Sequence, residues 1–326
     1  MSVSRAGRVS WGRRATIAVP YLWLVVFFLL PFAIVAKISI SEPLVAMPPY
    51  GPVWDSPQAA LEHLAAPIWD NYAFVRPDLG CLEGSLVGWA WEFIGSLPAP
   101  TADCLYTNAF LNSLQIAAIS TVLALLVGFP MAYGMARCSP RWRTLLLIAA
   151  ILPFWTSLLI RVYAWIGILK PEGVLNQALQ GLGLIGDPLI IHLTPVAVYI
   201  GVVYSYLPFM VLPLYASLEK LDESLLEAAA DLGARPATVF WRVVVPLSLP
   251  GVLAGSFLVF IPAVGEYVIP ELLGGASTQM IGRTLFNEFF QNRDWPVASA
   301  VAVLLVLALV VPIVVFQQIA RRGGTG

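Results

Sequence analysis

The chain has 326 residues, 59% of them hydrophobic and only 11% charged, where a soluble domain carries about 25%. So little charge cannot cover a water-facing surface, and lipid must be the solvent for most of the chain. A net charge of −1, two histidines (His63, His192) and three cysteines without a CxxC spacing (Cys81, Cys104, Cys138) argue against a polyanion-binding surface, a zinc site and an iron–sulfur cluster.

Crossing the hydrocarbon core takes about 20 apolar residues in a helix, inside which every backbone polar group is satisfied. Residues 1–15 form a short N-terminus bearing Arg5, Arg8, Arg13 and Arg14. The first span, 16–38, is an apolar run of about 22 residues. That is longer than the core of a secretory leader, so a retained helix is expected. Segment 39–108 follows, with eight acids against one base, Arg76. Its stretch Trp89–Leu97 suits a short interfacial helix. Low charge then predicts spans at 109–135, 144–168 (interrupted by Arg161), 193–217, 247–268 and 297–319, with a tail at 321–326. The expected fold is all-α with six transmembrane helices, the last five forming a core over 109–320.

The connecting segments fall into two alternating sets. The N-terminus, 136–143, 218–245 and the C-terminus hold twelve basic residues, among them Arg137, Arg141, Arg143, Lys220 and Arg242. The other set holds four: Arg76, Lys170, Arg283 and Arg293. Basic residues stay on the cytoplasmic side, so both termini are expected inside and 39–108 outside. Cys81 and Cys104 then face an oxidising compartment, either bridged or as two thiols.

The inner segment 218–245 carries the most information. Leu221, Leu225, Ala228, Ala229 and Leu232 recur at helical spacing. Gly233 stands where that helix would stop, and a second short helix can run from Pro236 toward Pro246. Glu219, Glu223, Glu227 and Asp231 lie four apart and would share one stripe. That stripe is either a solvated acidic face or a docking surface for a basic partner.

Glu227-Ala228-Ala229, then Gly233 after three residues, then Val243, Val245 and Pro246, resembles the Glu-Ala-Ala-x3-Gly-x9-Ile-x-Leu-Pro motif of ABC-importer permeases. Two further stretches resemble the spermidine/putrescine branch. One is Leu152–Ser157 with Arg161–Trp165; the other is Ile261–Gly275. The resemblance runs from Tyr106 to Arg321 and implies the transmembrane domain of a type I importer in a bacterial inner membrane. It implies a second permease subunit completing the pathway, two ATP-binding subunits, and a periplasmic binding protein that delivers the cargo. Glu227 would contact a basic residue of the ATPase, with Gly233 permitting the turn. Putrescine or spermidine is the implied cargo; iron(III), an aminophosphonate or an opine are alternatives, and a secondary transporter is a weaker one. The residues agree on one point independently. The lysines Lys37, Lys170 and Lys220 follow Ala36, Leu169 and Glu219, so none belongs to a Gly-Lys-Ser/Thr phosphate loop. ATP and Mg²⁺ would sit on a partner chain, with no cofactor here.

Two charges fall within the spans, Arg161 and Glu266. A charge at mid-bilayer costs about 2.5–3.5 kcal/mol on insertion scales and usually faces a partner or an aqueous path. Glu266 could attract a cationic amine, with Trp155, Tyr163, Tyr204 and Tyr267 offering ring faces. Alternatively both charges are structural, paired with each other or near the surface. A membrane-embedded enzyme would need His, Asp, Ser or Cys clustered at one depth, and the sequence offers no such cluster.

Overall fold

The computed structural model describes residues 11–51, 71–72, 105–275 and 278–323. Cys81, Cys104 and the Trp89–Leu97 stretch lie outside the described residues, while Cys138 is a free thiol. In chain order the helices are α1 (Trp11–Leu24), α2 (Leu30–Ser39), α3 (Leu105–Arg137), α4 (Pro140–Ile151), α5 (Leu158–Leu169), α6 (Val174–Gly181) and α7 (Pro195–Leu218). Then come α8 (Glu223–Asp231), α9 (Pro236–Val264), α10 (Val268–Leu273), α11 (Ile281–Phe286) and α12 (Trp295–Gly323). The described residues contain no strand beyond an isolated bridge, Pro43 to Tyr50. Among the described residues four stretches are long and apolar enough to cross a membrane: Ala18–Ser39, α3, α7 and α9. The bent pair α4–α5 is a fifth candidate, and α12 contributes a shorter apolar helix, Trp295–Val310.

The chain divides into two compact units, residues 1–76 with 287–326, and residues 77–286. In the first, a π turn (Val25–Leu29) joins α1 to α2, and α2 packs along α12. The Asn71 amide donates to the Ser39 and Ser41 carbonyls at 3.1 and 2.7 Å, closing the orphan end of α2. Trp295 stacks on Phe289 with ring centroids 4.8 Å apart.

The second unit is built on α3, α7 and α9. Their buried stripes follow a period of three to four residues. On α3 they are Ala109, Ser113, Ala117, Ser120, Ala124, Gly128 and Ala132; on α9 they are Gly251, Gly255, Val259 and Ala263. Lipid tails are as apolar as the side chains, so helices in a membrane associate by close packing, and small residues permit it. Gly128 lies against Met210 of α7, and Gly251 against Ser217 and the Pro213 carbonyl.

Two predicted spans are corrected. Stretch 144–168 is not one helix: Pro140–Trp155 and Leu158–Gly181 meet at 93°. Pro153 has no N–H to donate and its ring crowds the preceding turn. The chain passes through a 3₁₀ turn, Leu152–Trp155, into extended backbone at Thr156. The fifth span, predicted at 247–268, is instead the far part of a helix running unbroken from Pro236 to Val264. A π turn, Phe240–Val244, widens the backbone just before Pro246, so that proline needs no break. The separate short helix expected from Pro236 to Pro246 is therefore the first part of α9.

Candidate functional site

Two places gather the residues the sequence singles out. The first is the loop end of the second unit, where α3 and α7 finish and α9 begins. Asp222 caps α8, its carboxylate accepting from Ser224 N at 3.0 Å. That backbone hydrogen bond holds the Asp222 carboxyl below its usual range. The cap's contribution is therefore complete above the ordinary carboxylate pKa and disappears as pH falls through the lowered one. At the other end Gly233 takes φ +78°. Its N–H bonds to the Ala230 carbonyl at 2.8 Å and that of Ala234 to Ala229 at 3.1 Å, ending the helix in a left-handed turn. A Cβ on Gly233 would meet nothing within 4 Å, so only backbone strain opposes substitution. Gly233→Ala is expected to cost about 1–2 kcal/mol of local stability and Gly233→Asn less, checked as faster hydrogen exchange over α8.

The acidic stripe is not continuous. Glu219 belongs to the end of α7, and a turn separates it from α8. Spacing of four assumed one helix where there are two. Glu219 pairs with Arg143 at 2.9 Å and Glu223 with Arg137 at 2.7 Å. Glu227 and Asp231 are exposed and have no ion-pair partner among the described residues. The helix faces the core cluster with Leu226, whereas Leu225, Ala228 and Leu232 are exposed, Leu232 by 90%. Ala229 is half-buried and Pro246 exposed. Beside α8 opens a groove of about 620 Å³ whose walls include Lys220, Asp222, Leu225, Leu247 and Pro250. The helix thus presents an apolar and acidic surface outward.

The second place lies at the opposite end of α9. Glu266 is not inside the span but just past its end, and it is buried, 7% exposed. Its Oε1 accepts from Val268 N at 3.0 Å and Ile269 N at 3.3 Å, capping α10. Its Oε2 accepts from the Tyr206 hydroxyl. Gly282 seats this turn, since a Cβ there would come within 2.7 Å of the Gly265 and Glu266 carbonyls. Two α3 side chains hold the chain where it enters α11: Asn112 donates to the Gln279 carbonyl and Ser113 accepts from Ile281 N.

Arg161 is not paired with Glu266. Its guanidinium lies over the Phe154 ring, 5.2 Å from the centroid, and Nε and Nη1 are buried without a hydrogen-bond partner. Phe154 meets Phe209 edge-on at 5.0 Å, and Phe209 lies 6.1 Å from Tyr206. An aromatic row therefore runs from the lone cation to the buried carboxylate. Tyr267 stacks on Phe286 at 4.1 Å and Tyr204 contacts Trp165 at 5.4 Å. Trp155 and Tyr163 are exposed, 85% and 59%. Sequence inspection missed Tyr206, Phe209 and Phe154. In Tyr204-Ser205-Tyr206 the two hydroxyls point to opposite sides of the helix, and only the partner helix tells which one faces Glu266. No cluster of metal ligands occurs among the described residues.

The comparisons with known proteins agree with this architecture. The spermidine/putrescine transport system permease protein PotB of Haemophilus influenzae is 44% identical over 214 residues, 66% of this chain and 75% of that protein. Its Escherichia coli counterpart is 43% identical over 219 residues, 67% of this chain and 80% of that one. A bacterial ABC transporter that imports the acidic polysaccharide alginate superposes with a TM-score of 0.59 over 96% of both chains, at 16% identity. That likeness establishes the fold. The family model for the inner membrane component of binding-protein-dependent transport systems matches residues 14–322. Helices built to pack in lipid, a helical loop displayed at one end of them and a match over nearly the whole sequence place this chain in the family of binding-protein-dependent transport system inner membrane components.

Proposed function

We propose that this chain is one permease subunit of an ATP-driven importer of polyamines, putrescine or spermidine. The observation that carries the proposal is the identity of 44% to a spermidine/putrescine permease, joined to the outward display of Glu227, Asp231, Leu225 and Leu232 on α8. The chain crosses the membrane six times with both termini and α8 on the cytoplasmic side. It forms half of the pathway, a second permease subunit the other half, and a periplasmic binding protein hands over the cargo. ATP and Mg²⁺ are held by a separate ATPase pair, because no lysine here lies in a phosphate loop. The ATPase cleft takes α8, with Leu232 as apolar anchor and Glu227 meeting a basic residue. ATP-driven closure of the cleft moves α8 and switches the pathway from outward-open to inward-open.

Glu227→Lys puts a like charge against the basic residue of the ATPase. It is expected to lower labelled-putrescine uptake at least tenfold and to strip the ATPase from the purified complex, with permease abundance unchanged, since Glu227 has no ion-pair partner among the described residues. Normal uptake and a normal ATPase complement in this variant would overturn the coupling role. Proteoliposomes that hydrolyse ATP but take up neither putrescine nor spermidine would overturn the cargo.

A further inference from the structure

The basic residues flanking the α3–α4 turn count in the sequence only toward topology. In the structure two of them grip the beginning of the α8 segment. Arg137, the last residue of α3, donates Nη1 to Glu223 Oε1 at 2.7 Å, and its guanidinium also lies 5.5 Å over the Tyr133 ring. Arg143, in the first turn of α4, donates Nη1 to Glu219 Oε1 at 2.9 Å and Nη2 to the Ala136 carbonyl at 2.9 Å. Arg143 thereby joins α4, the end of α3 and the end of α7. Glu219 and Glu223 bracket the turn between α7 and α8, so the turn is held at both sides. Elsewhere along α8, Leu226 supplies an apolar contact with the core.

We propose that Arg137 and Arg143 form a clasp that makes α8 and the end of α3 move as one body. Without it, a push on α8 would be taken up by bending the short turn after Leu218, and α3 and α7 would not follow. The two ion pairs are part-exposed, and exposed pairs add little static stability. Their loss leaves the fold intact and removes only the stiffness of the connection. The division of the acids follows from this. Glu219 and Glu223, though exposed, are engaged by the clasp, while Glu227 and Asp231 remain for a partner. Arg137 and Arg143 are positioning residues that act through α8.

The clasp's part in transport rests on the proposed coupling to an ATPase, and two experiments separate the two claims. In the complete importer in proteoliposomes, Arg137→Ala with Arg143→Ala is expected to retain the ATPase and its hydrolysis. Uptake per ATP should fall about tenfold, within the span of usual coupling between sites. Exchanging the charges, Arg137→Glu with Glu223→Arg and Arg143→Glu with Glu219→Arg, should restore at least half of it. Unchanged uptake per ATP in the alanine variant, or no recovery on exchange, overturns the proposal. In the permease alone, hydrogen exchange over 219–231 should quicken several-fold in the alanine variant and slow again in the exchanged one. Unaltered exchange overturns the clasp whether or not an ATPase binds, whereas a wild-type permease that captures no ATPase refutes the coupling role by itself.

Discussion

Gly251→Leu is expected to yield no monodisperse permease from detergent extracts, although the substitution adds only apolar atoms. The cause is contact at backbone level. A Cβ on Gly251 would stand 2.6 Å from Ser217 Cβ and 2.8 Å from the Pro213 carbonyl oxygen, both on α7. Neither can rotate away, so α7 and α9 would have to separate by an ångström or more. One turn along, a Cβ on Gly255 would stand 3.0 Å from the Met210 carbonyl oxygen and 3.3 Å from its Cα, so the same crossing is tight over two turns. Overpacking a core costs about 1–3 kcal/mol where side chains can yield, and more where a carbonyl is the obstacle. In water, apolar burial would still press the separated helices together. In lipid it does not, and close packing is what holds them. Against a total stability of about 5–15 kcal/mol, opening the central crossing is decisive. Gly251→Ala should show the same defect in milder form as a lowered Tm. Gly134→Ala on α3 is the control: its Cβ would meet nothing within 4 Å, and alanine favours the helix by about 1 kcal/mol. Wild-type yield and Tm in Gly251→Leu would show that α7 and α9 do not rely on this contact.

How far the sequence reached depends on which physical constraint fixed each element. Predicted spans 109–135 and 193–217 became Leu105–Arg137 and Pro195–Leu218, because bilayer thickness dictates the length of an apolar run. Pro153 breaks its helix while Pro130, Pro208 and Pro213 do not. All four stand in apolar surroundings, and only packing distinguishes them: Phe154 swings onto Phe209, and Thr156 Oγ1 bonds back to the Pro153 carbonyl at 2.8 Å. Asp222 caps the start of α8, a role sequence inspection missed. Spacing of four carried the predicted stripe straight through it. Glu266 stood out because a charge amid apolar residues is costly. Its three donors come from α7 and from backbone beyond the helix end, which no periodicity reveals.

Those donors set the second large effect. Glu266→Ala removes the acceptor for the Tyr206 hydroxyl and for the amides of Val268 and Ile269 in a largely buried site. Each buried polar group left unsatisfied costs about 1–3 kcal/mol. Allowing for partial relaxation, the loss is about 3–5 kcal/mol, which should release α10 and lower the assembled fraction of the complex severalfold. Glu266→Gln behaves differently. The amide oxygen can still accept from the two backbone N–H groups, and Tyr206 can turn its hydroxyl to accept from the amide nitrogen. The variant also removes a side chain that forms no ion pair among the described residues, so its Tm should equal or exceed that of the wild type. A purely structural role is complete at that point, and Gln would serve as well as Glu. The chain keeps the more expensive residue, and a charge retained at such cost in a membrane protein is ordinarily used. For a cationic cargo we propose that the use is attraction: the carboxylate would lower the energy of an ammonium group passing Tyr206, at one end of the row formed with Phe209 and Phe154. The expected result for Glu266→Gln is therefore normal assembly, normal ATP hydrolysis and polyamine uptake reduced about tenfold. Uptake at the wild-type rate would confine Glu266 to capping α10.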